Sequence, residues 1–546
     1  MFADLVRGFR QSRFAALSRR ELFRGGGLLA ASGLFGGSAP RAGAAPLRIG
    51  RDIYQSIGVR PLVNCKGTFT IISGSLTLPE VKEAMEEASR HYIHLDELMD
   101  AVGQRLAELT GAEWGIVTAG CAAALTHATS ACIAGADPEK LQRLPYLDGL
   151  KSEVIAPTYS RNVYDHAIRM LGVRIVEADN LEQYEAAFSP RTAMVMVLAG
   201  PGDSGPLGLE PIAKIANQKG VPVLVDAAAE NLTIPNVHLQ RGATMVGYSG
   251  GKCLRGPQCA GVLLGRKDLL QAAWLHSAPH HAFGRSLKVG KEEIMGMLAA
   301  VEMWVKRDHA AEWRQWESWL DAISRRVTKV DGVTTEVLQP GGVSNRAPRL
   351  RINWDGAQLG IYGREVENLL LSGEPRIIFS GASGDPSGNA ASSITIMPYM
   401  MSPGDDKVVA EKLHAVLSKP PKIDRPPRPS GEPAVVAGQW EAHLDFFLGG
   451  ADHTFVFEQQ GPDLVGTHRG DILSGDLRGI VEADQIRFRS SHKYEGTRLT
   501  YEFTGRVDGD TMHGEVGLGE YGKTQWSAQR HSYQRRGGPV RPVKNL

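Results

Sequence analysis

Three short segments bring together residue types that can do covalent chemistry. Gly247-Tyr248-Ser249-Gly250-Gly251-Lys252 places a lysine behind two glycines. The glycines permit a tight backbone course beside a flat molecule, and a lysine amine there can condense with an aldehyde. Taken alone, the string also fits a surface turn with a solvated lysine. Val223-Leu224-Val225-Asp226-Ala227-Ala228 sets an acid at the end of an apolar run. Ligands of open α/β sheets bind beyond the carboxyl ends of the strands. Asp226 can there pair with a protonated ring nitrogen while Ala228 lies against the ring; a plain N-cap role for Asp226 is the alternative. Thr118-Ala119-Gly120-Cys121-Ala122-Ala123-Ala124-Leu125 follows an apolar run and opens a helical pattern. The backbone N–H groups of Gly120, Cys121 and Ala122 can hold an anion, with a hydroxyl added by Ser249. An Ala-rich packing helix would read the same way.

Aldehyde, ring nitrogen and phosphate are three parts of one cofactor. The order helix start, acid, lysine is the order expected of fold-type I pyridoxal 5'-phosphate (PLP) enzymes, so PLP is the expected cofactor. Lys252 is then its Schiff-base lysine and Asp226 the acid that keeps the ring electron-poor. No metal is expected. Sixteen His scatter without ligand spacing, and none of the five Cys sits in a CxxC pair.

The elements that must position these residues follow from patterning. Near-continuous apolar runs at 115–117, 153–156, 193–198 and 221–225 read as strands buried on both faces. With a crossover helix at 211–216 ending before Gly220, they imply a mostly parallel sheet covered by helices. This large domain is expected over residues 52–300. A smaller α/β domain is expected over 301–418, reached by one long helix from Ala300 to about Val327, with strands at 350–354 and 376–379 and a closing helix at 405–417. A Pro-rich linker spans 419–437. Beyond it the pattern turns to period two with Gly-Pro-Asp and Asp-Gly turn signals, which predicts an antiparallel barrel or sandwich over 438–533.

At 546 residues with a net charge of +1, the chain is multidomain and carries no electrostatic footprint for nucleic acid. Ser18-Arg19-Arg20-Glu21-Leu22-Phe23-Arg24, the weakly apolar stretch to Gly37 and Ala42-Gly43-Ala44 look like a twin-arginine signal over residues 1–44. The expected location is periplasmic or otherwise extracytoplasmic. No later stretch is apolar enough for a stable membrane span.

Residues 52–418 resemble the selenocysteine-synthase-like branch of fold-type I enzymes, and within it the D-glucosaminate-6-phosphate ammonia-lyase type. Residues 57–64, 109–113, 160–165 and 284–293 carry the likeness, together with Ser249-Gly250-Gly251-Lys252-Cys253-Leu254-Arg255-Gly256-Pro257-Gln258, the most specific of these segments. The resemblance implies cofactor or substrate contacts near Arg161, Asn162 and Arg285; structural ion pairs are the alternative for both arginines. Arg349 or Arg351 could hold a substrate carboxylate bidentately, or simply face solvent from a strand. His280 and His281 fall in a loop near the site. Export and the lack of a basic patch speak against a tRNA substrate, and the C-terminal β region lies outside the family pattern.

The expected activity is α,β-elimination on an amino acid or amino sugar acid. β-Replacement transfer and racemisation follow as alternatives, because fold does not choose among them. An exported binding protein on a disused enzyme scaffold is the non-enzymatic reading. The expected partner is a small amino substrate. A homodimer or higher homo-oligomer is expected, because fold-type I sites draw residues from two subunits.

Overall fold

A computed structural model describes residues 46–386, 388–425 and 429–532. The proposed signal at 1–44 lies outside the described residues. The chain divides into two compact units, one spanning Leu47–Ile423 and the other running from Asp424.

A seven-stranded sheet forms the centre of the first unit. Its order is Trp114–Thr118, Gly261–Gly265, Met245–Ser249, Val223–Asp226, Thr192–Leu198, Glu153–Pro157, Arg174–Ala178. Six strands run one way; Gly261–Gly265 alone runs against its neighbours. The expected apolar runs at 153–156, 193–198 and 221–225 fall in interior strands and the run at 115–117 in an edge strand; the residues of the Val223–Asp226 strand are all buried. The helix at Leu209–Gln218 provides the expected crossover, with Gly220 in the left-handed region at φ 66°.

One expectation is corrected. The long helix read from Ala300 to Val327 is two helices, Lys291–Lys306 and His309–Val327. Asp308 interrupts them because its side chain accepts from the Ala311 N–H and caps the second helix. Arg307 leaves the helix in an extended conformation and pairs bidentately, through Nε and Nη2, with Glu312.

The second lobe of this unit holds a four-stranded antiparallel sheet. Arg349–Asp355 lies between Thr334–Leu338 and Asn389–Ile396, and Gly381–Asp385 sits at the far edge. Leu62–Cys65 crosses over to pair in parallel with Arg376–Phe379, so this early segment is built into the second lobe's core. Asp405–Ser418 is the closing helix.

The second unit settles barrel against sandwich. Eight antiparallel strands, from Gly438–Asp445 to Lys523–Arg530, pair in sequence and close through the first and last, with Trp440 opposite Arg530. Alternate residues point inward. Trp440, Phe455, Phe457, Phe488, Phe503 and Trp526 fill the interior, with Tyr501 partly buried against them.

Candidate active site

Sheet register gathers the three sequence segments on one ledge. Asp226 is level with Gly247 on the neighbouring strand. Gly261 is the register partner of Ser249 on one side and of Thr118 on the other. The ends of these strands therefore place Asp226, the Lys252 turn and the start of the helix Gly120–Ala134 side by side. Gly261 is required there. A Cβ on it would lie 2.6 Å from the Gly120 carbonyl carbon and 2.7 Å from the Cys121 nitrogen, so only glycine lets the helix start sit so close to the sheet.

The helix start is open. Its N-cap residue is Ala119, no side chain caps it, and its first turn carries no acid. The first-turn N–H groups of a fifteen-residue helix are thus left for an outside acceptor. Gly120 has φ +85°, and a Cβ there would meet nothing within 4 Å. Ala122 is exposed, while Cys121 turns inward and is buried.

Asp226 is 3% exposed. Its Oδ1 accepts from the Ala228 N–H at 3.1 Å and from the Cys121 thiol at 3.6 Å; its Oδ2 accepts from no described residue. Burial raises the Asp226 pKa. The Ala228 N–H, the Lys252 charge and the Cys121 thiol pull it back down. Burial and the Asp226 charge push the Cys121 thiol well up, so it stays protonated and donates. Lys252 is half-buried, and neither its amine nor the Ser249 hydroxyl pairs with a described residue.

The remaining sequence candidates separate. Arg161 is 4% exposed and pairs with Asp165 at 2.5 Å and with Glu177, which is the ion-pair alternative. Asn162 caps the short turn that follows, accepting from the Tyr164 N–H and donating to the Ser160 carbonyl. Arg285 is exposed and pairs with no described carboxylate. Arg349 and Arg351 share the face of their strand opposite its core residues. Arg351 lies 3.8 Å from Glu336; Arg349 has no ion pair among the described residues, and its charge opposes the burial-driven rise of the Tyr399 pKa. His280 meets Asp96 at 3.3 Å, and His281 is exposed.

Sequence reasoning missed Tyr399, whose hydroxyl bonds Thr68 and Asn345 and ties the early segment to the second lobe. A lone Tyr after a strand carries no signal by itself. It also assigned no role to Arg255, although a charged residue inside the most specific segment was a visible cue.

Residues 151–285 match the family model described as Aminotransferase class-V. The chain is 29% identical over 341 residues to the D-glucosaminate-6-phosphate ammonia lyase of Salmonella typhimurium (strain 14028s / SGSC 2262), covering 59% of this chain and 88% of that protein. It is 28% identical over 384 residues to the 5'-C-glycyluridine monooxygenase-decarboxylase of Streptomyces sp, covering 67% and 92%. The L-seryl-tRNA(Sec) selenium transferase of Proteus mirabilis (strain HI4320) is 24% identical, over 46% of this chain and 58% of that protein. A solved D-glucosaminate-6-phosphate ammonia-lyase superposes with a TM-score of 0.59 at 26% identity, covering 67% of this chain and 98% of its own. The fold and the site define a fold-type I, PLP-dependent enzyme. Its recognisable kin are the ammonia lyases and selenium transferases just described, joined here to a closed β-barrel.

The residues present fit that cofactor. An uncapped helix start suits its phosphate, a buried carboxylate with one free oxygen suits its ring nitrogen, and an unpaired lysine amine suits its aldehyde. Among the described residues no His, Cys, Asp or Glu cluster is arranged to hold a metal ion.

Proposed function

We propose that this enzyme removes a β-substituent from an amino acid or amino sugar acid by α,β-elimination, with release of ammonia. The observation that carries the reading is the shared ledge of Lys252 and Asp226, an unpaired amine beside a buried carboxylate with one free oxygen. Bound PLP supplies an electron sink for negative charge developing at the substrate α-carbon. Lys252 takes the proton from that carbon and returns it where the product requires. Asp226, held on Oδ1 by two donors, presents Oδ2 to the ring nitrogen and keeps it protonated. The helix start at Gly120 orients the phosphate end through backbone N–H groups, and Ser249 adds a hydroxyl.

The ammonia-lyase relative supports elimination over the other outcomes. The decarboxylase relative favours a second reading, loss of carbon dioxide with oxygen uptake. One experiment separates them. One portion of the PLP-loaded protein is reduced with borohydride to map the modified lysine, and an unreduced portion is screened with D- and L-amino acids and amino sugar acids. Elimination predicts label on Lys252 with ammonia and keto-acid release. Carbon dioxide with oxygen consumption selects the second reading, and label elsewhere removes the assignment of Lys252.

Export by the twin-arginine route is part of the proposal, supported by Arg19-Arg20 and the small residues at 42–44. Lys substitution of that Arg pair should retain the protein in the cytoplasmic fraction. The proposal also includes a homodimer or larger assembly; a monomeric mass with full activity would refute it.

A further inference from the structure

A cavity of about 620 Å³ opens beside the Lys252 turn, lined by residues of both lobes of the first unit. Its size is that of a site for a small organic molecule. One wall is aromatic, with Trp304, Trp313 and Trp316. Its charged groups are markedly one-sided. Three arginines line it, Arg255, Arg307 and Arg346, and Glu312 is the only acid among the lining residues. That acid is already committed, because both of its oxygens are held by Arg307 at 2.9 Å and 2.8 Å.

Arg255 is the unusual member. It is half-buried, and its Nε donates to the Leu76 carbonyl at 3.0 Å. No described carboxylate pairs with it. Burial and the neighbouring Arg307 charge lower its pKa, against a smaller opposing pull from Glu312 and Glu80. Its backbone lies in the left-handed region at φ 54°, which non-glycine residues adopt uncommonly. A half-buried guanidinium with no direct carboxylate partner gains a charge-assisted pair when an anion reaches it. Arg346 stands exposed at the rim with its guanidinium 5.7 Å from the Trp313 ring centre. It also has no acidic partner among the described residues.

We propose that this cavity binds a small organic anion, its carboxylate or phosphate held by Arg255 and Arg346 and its body against Trp313 and Trp316. The Arg307–Glu312 pair serves as a fixed wall. Arg307 also donates to the Cys253 carbonyl at 3.2 Å, so the site is tied to the residue next to Lys252. This inference rests on the cavity and its charges and stands apart from the elimination reading.

The test is tryptophan fluorescence of the PLP-loaded full chain, titrated separately with inorganic phosphate and with succinate against sodium chloride at matched ionic strength. Wild type should show saturable quenching with at least one of the two. The arm that saturates at lower concentration identifies phosphate or carboxylate as the preferred group. Arg255→Gln should weaken that binding about tenfold, the scale of a lost charge-assisted pair, while keeping the visible cofactor absorbance. Arg346→Gln should weaken it by a smaller factor. No saturable quenching by either anion in wild type, or equal affinity in Arg255→Gln, overturns the proposal. If Arg255→Gln does not fold, Arg346→Gln decides: weaker binding supports the site and unchanged binding overturns it.

Discussion

The Cys121 thiol lies 3.6 Å from Oδ1 of Asp226 and is the second of two donors to that oxygen. A helix-start residue thereby reaches across to the acid of a neighbouring strand and lowers its pKa against the rise caused by burial. Cys121→Ala should leave only the Ala228 N–H on Asp226. Losing one such bond is worth about 1 kcal/mol, so the acidic limb of the pH–activity profile should move to higher pH. Cys121→Ser should restore the wild-type limb. An unmoved limb in both variants would show that the thiol does not tune the acid.

Gly261→Ala tests the contact between sheet and helix start. The new methyl group would meet backbone, which cannot rotate away. Overpacking of this kind costs about 1–3 kcal/mol. The expected outcome is a lower melting temperature and weaker PLP affinity by absorbance titration. Wild-type values for both would show that the helix start has room to retreat.

Arg161 separates two roles. As a buried partner of Asp165 and Glu177 it should stabilise the protein whether or not cofactor is present. Arg161→Ala leaves buried carboxylate without its partner and should cost about 3–5 kcal/mol. Urea unfolding of both PLP-free and PLP-loaded protein checks this. Destabilisation confined to the loaded form would instead make Arg161 a cofactor contact.

The barrel should be sensitive to acid. His453, His468 and His492 are buried in it. His453 Nδ1 lies 2.8 Å from His468 Nε2, and His468 Nδ1 lies 2.6 Å from the Ser490 hydroxyl. Burial, together with the neighbouring imidazoles, pushes His468 down to about 2; burial lowers His453 and His492 as well. A depressed folded pKa means that the unfolded chain takes up the proton first. The stabilisation is whole above the unfolded histidine value and is lost as pH falls from there towards about 2. For His468 the slope approaches about 1.4 kcal/mol per pH unit. Hydrogen exchange on the full chain should show residues 438–530 opening more readily at about pH 5 than at about pH 7.5, and His468→Phe should flatten the difference.

Much of the active-site ledge was legible because it is local. A strand that ends in an acid, and a glycine pair before a lysine, each declare themselves within a few residues. The helix break at Arg307–Asp308 was harder to see, because the apolar spacing continues through it and only the cap chemistry of Asp308 interrupts it. Closure of the barrel depends on Trp440 meeting Arg530, and period-two alternation is the same in a sandwich. The pairings of Arg161 and the solitude of Arg255 are tertiary facts. No spacing rule distinguishes a guanidinium that finds a carboxylate from one that does not.

Because the eight strands of the C-terminal unit form a ring, none of its described strands is left with an unpaired edge. Another polypeptide cannot dock there by extending the sheet. Whatever recognises this unit must do so through side chains on its outer wall or through the hairpin tips, such as Phe447, Leu448 and Ile472. Surface substitution can therefore rewrite what that outer wall presents while the hydrogen-bonded hoop beneath stays as it is.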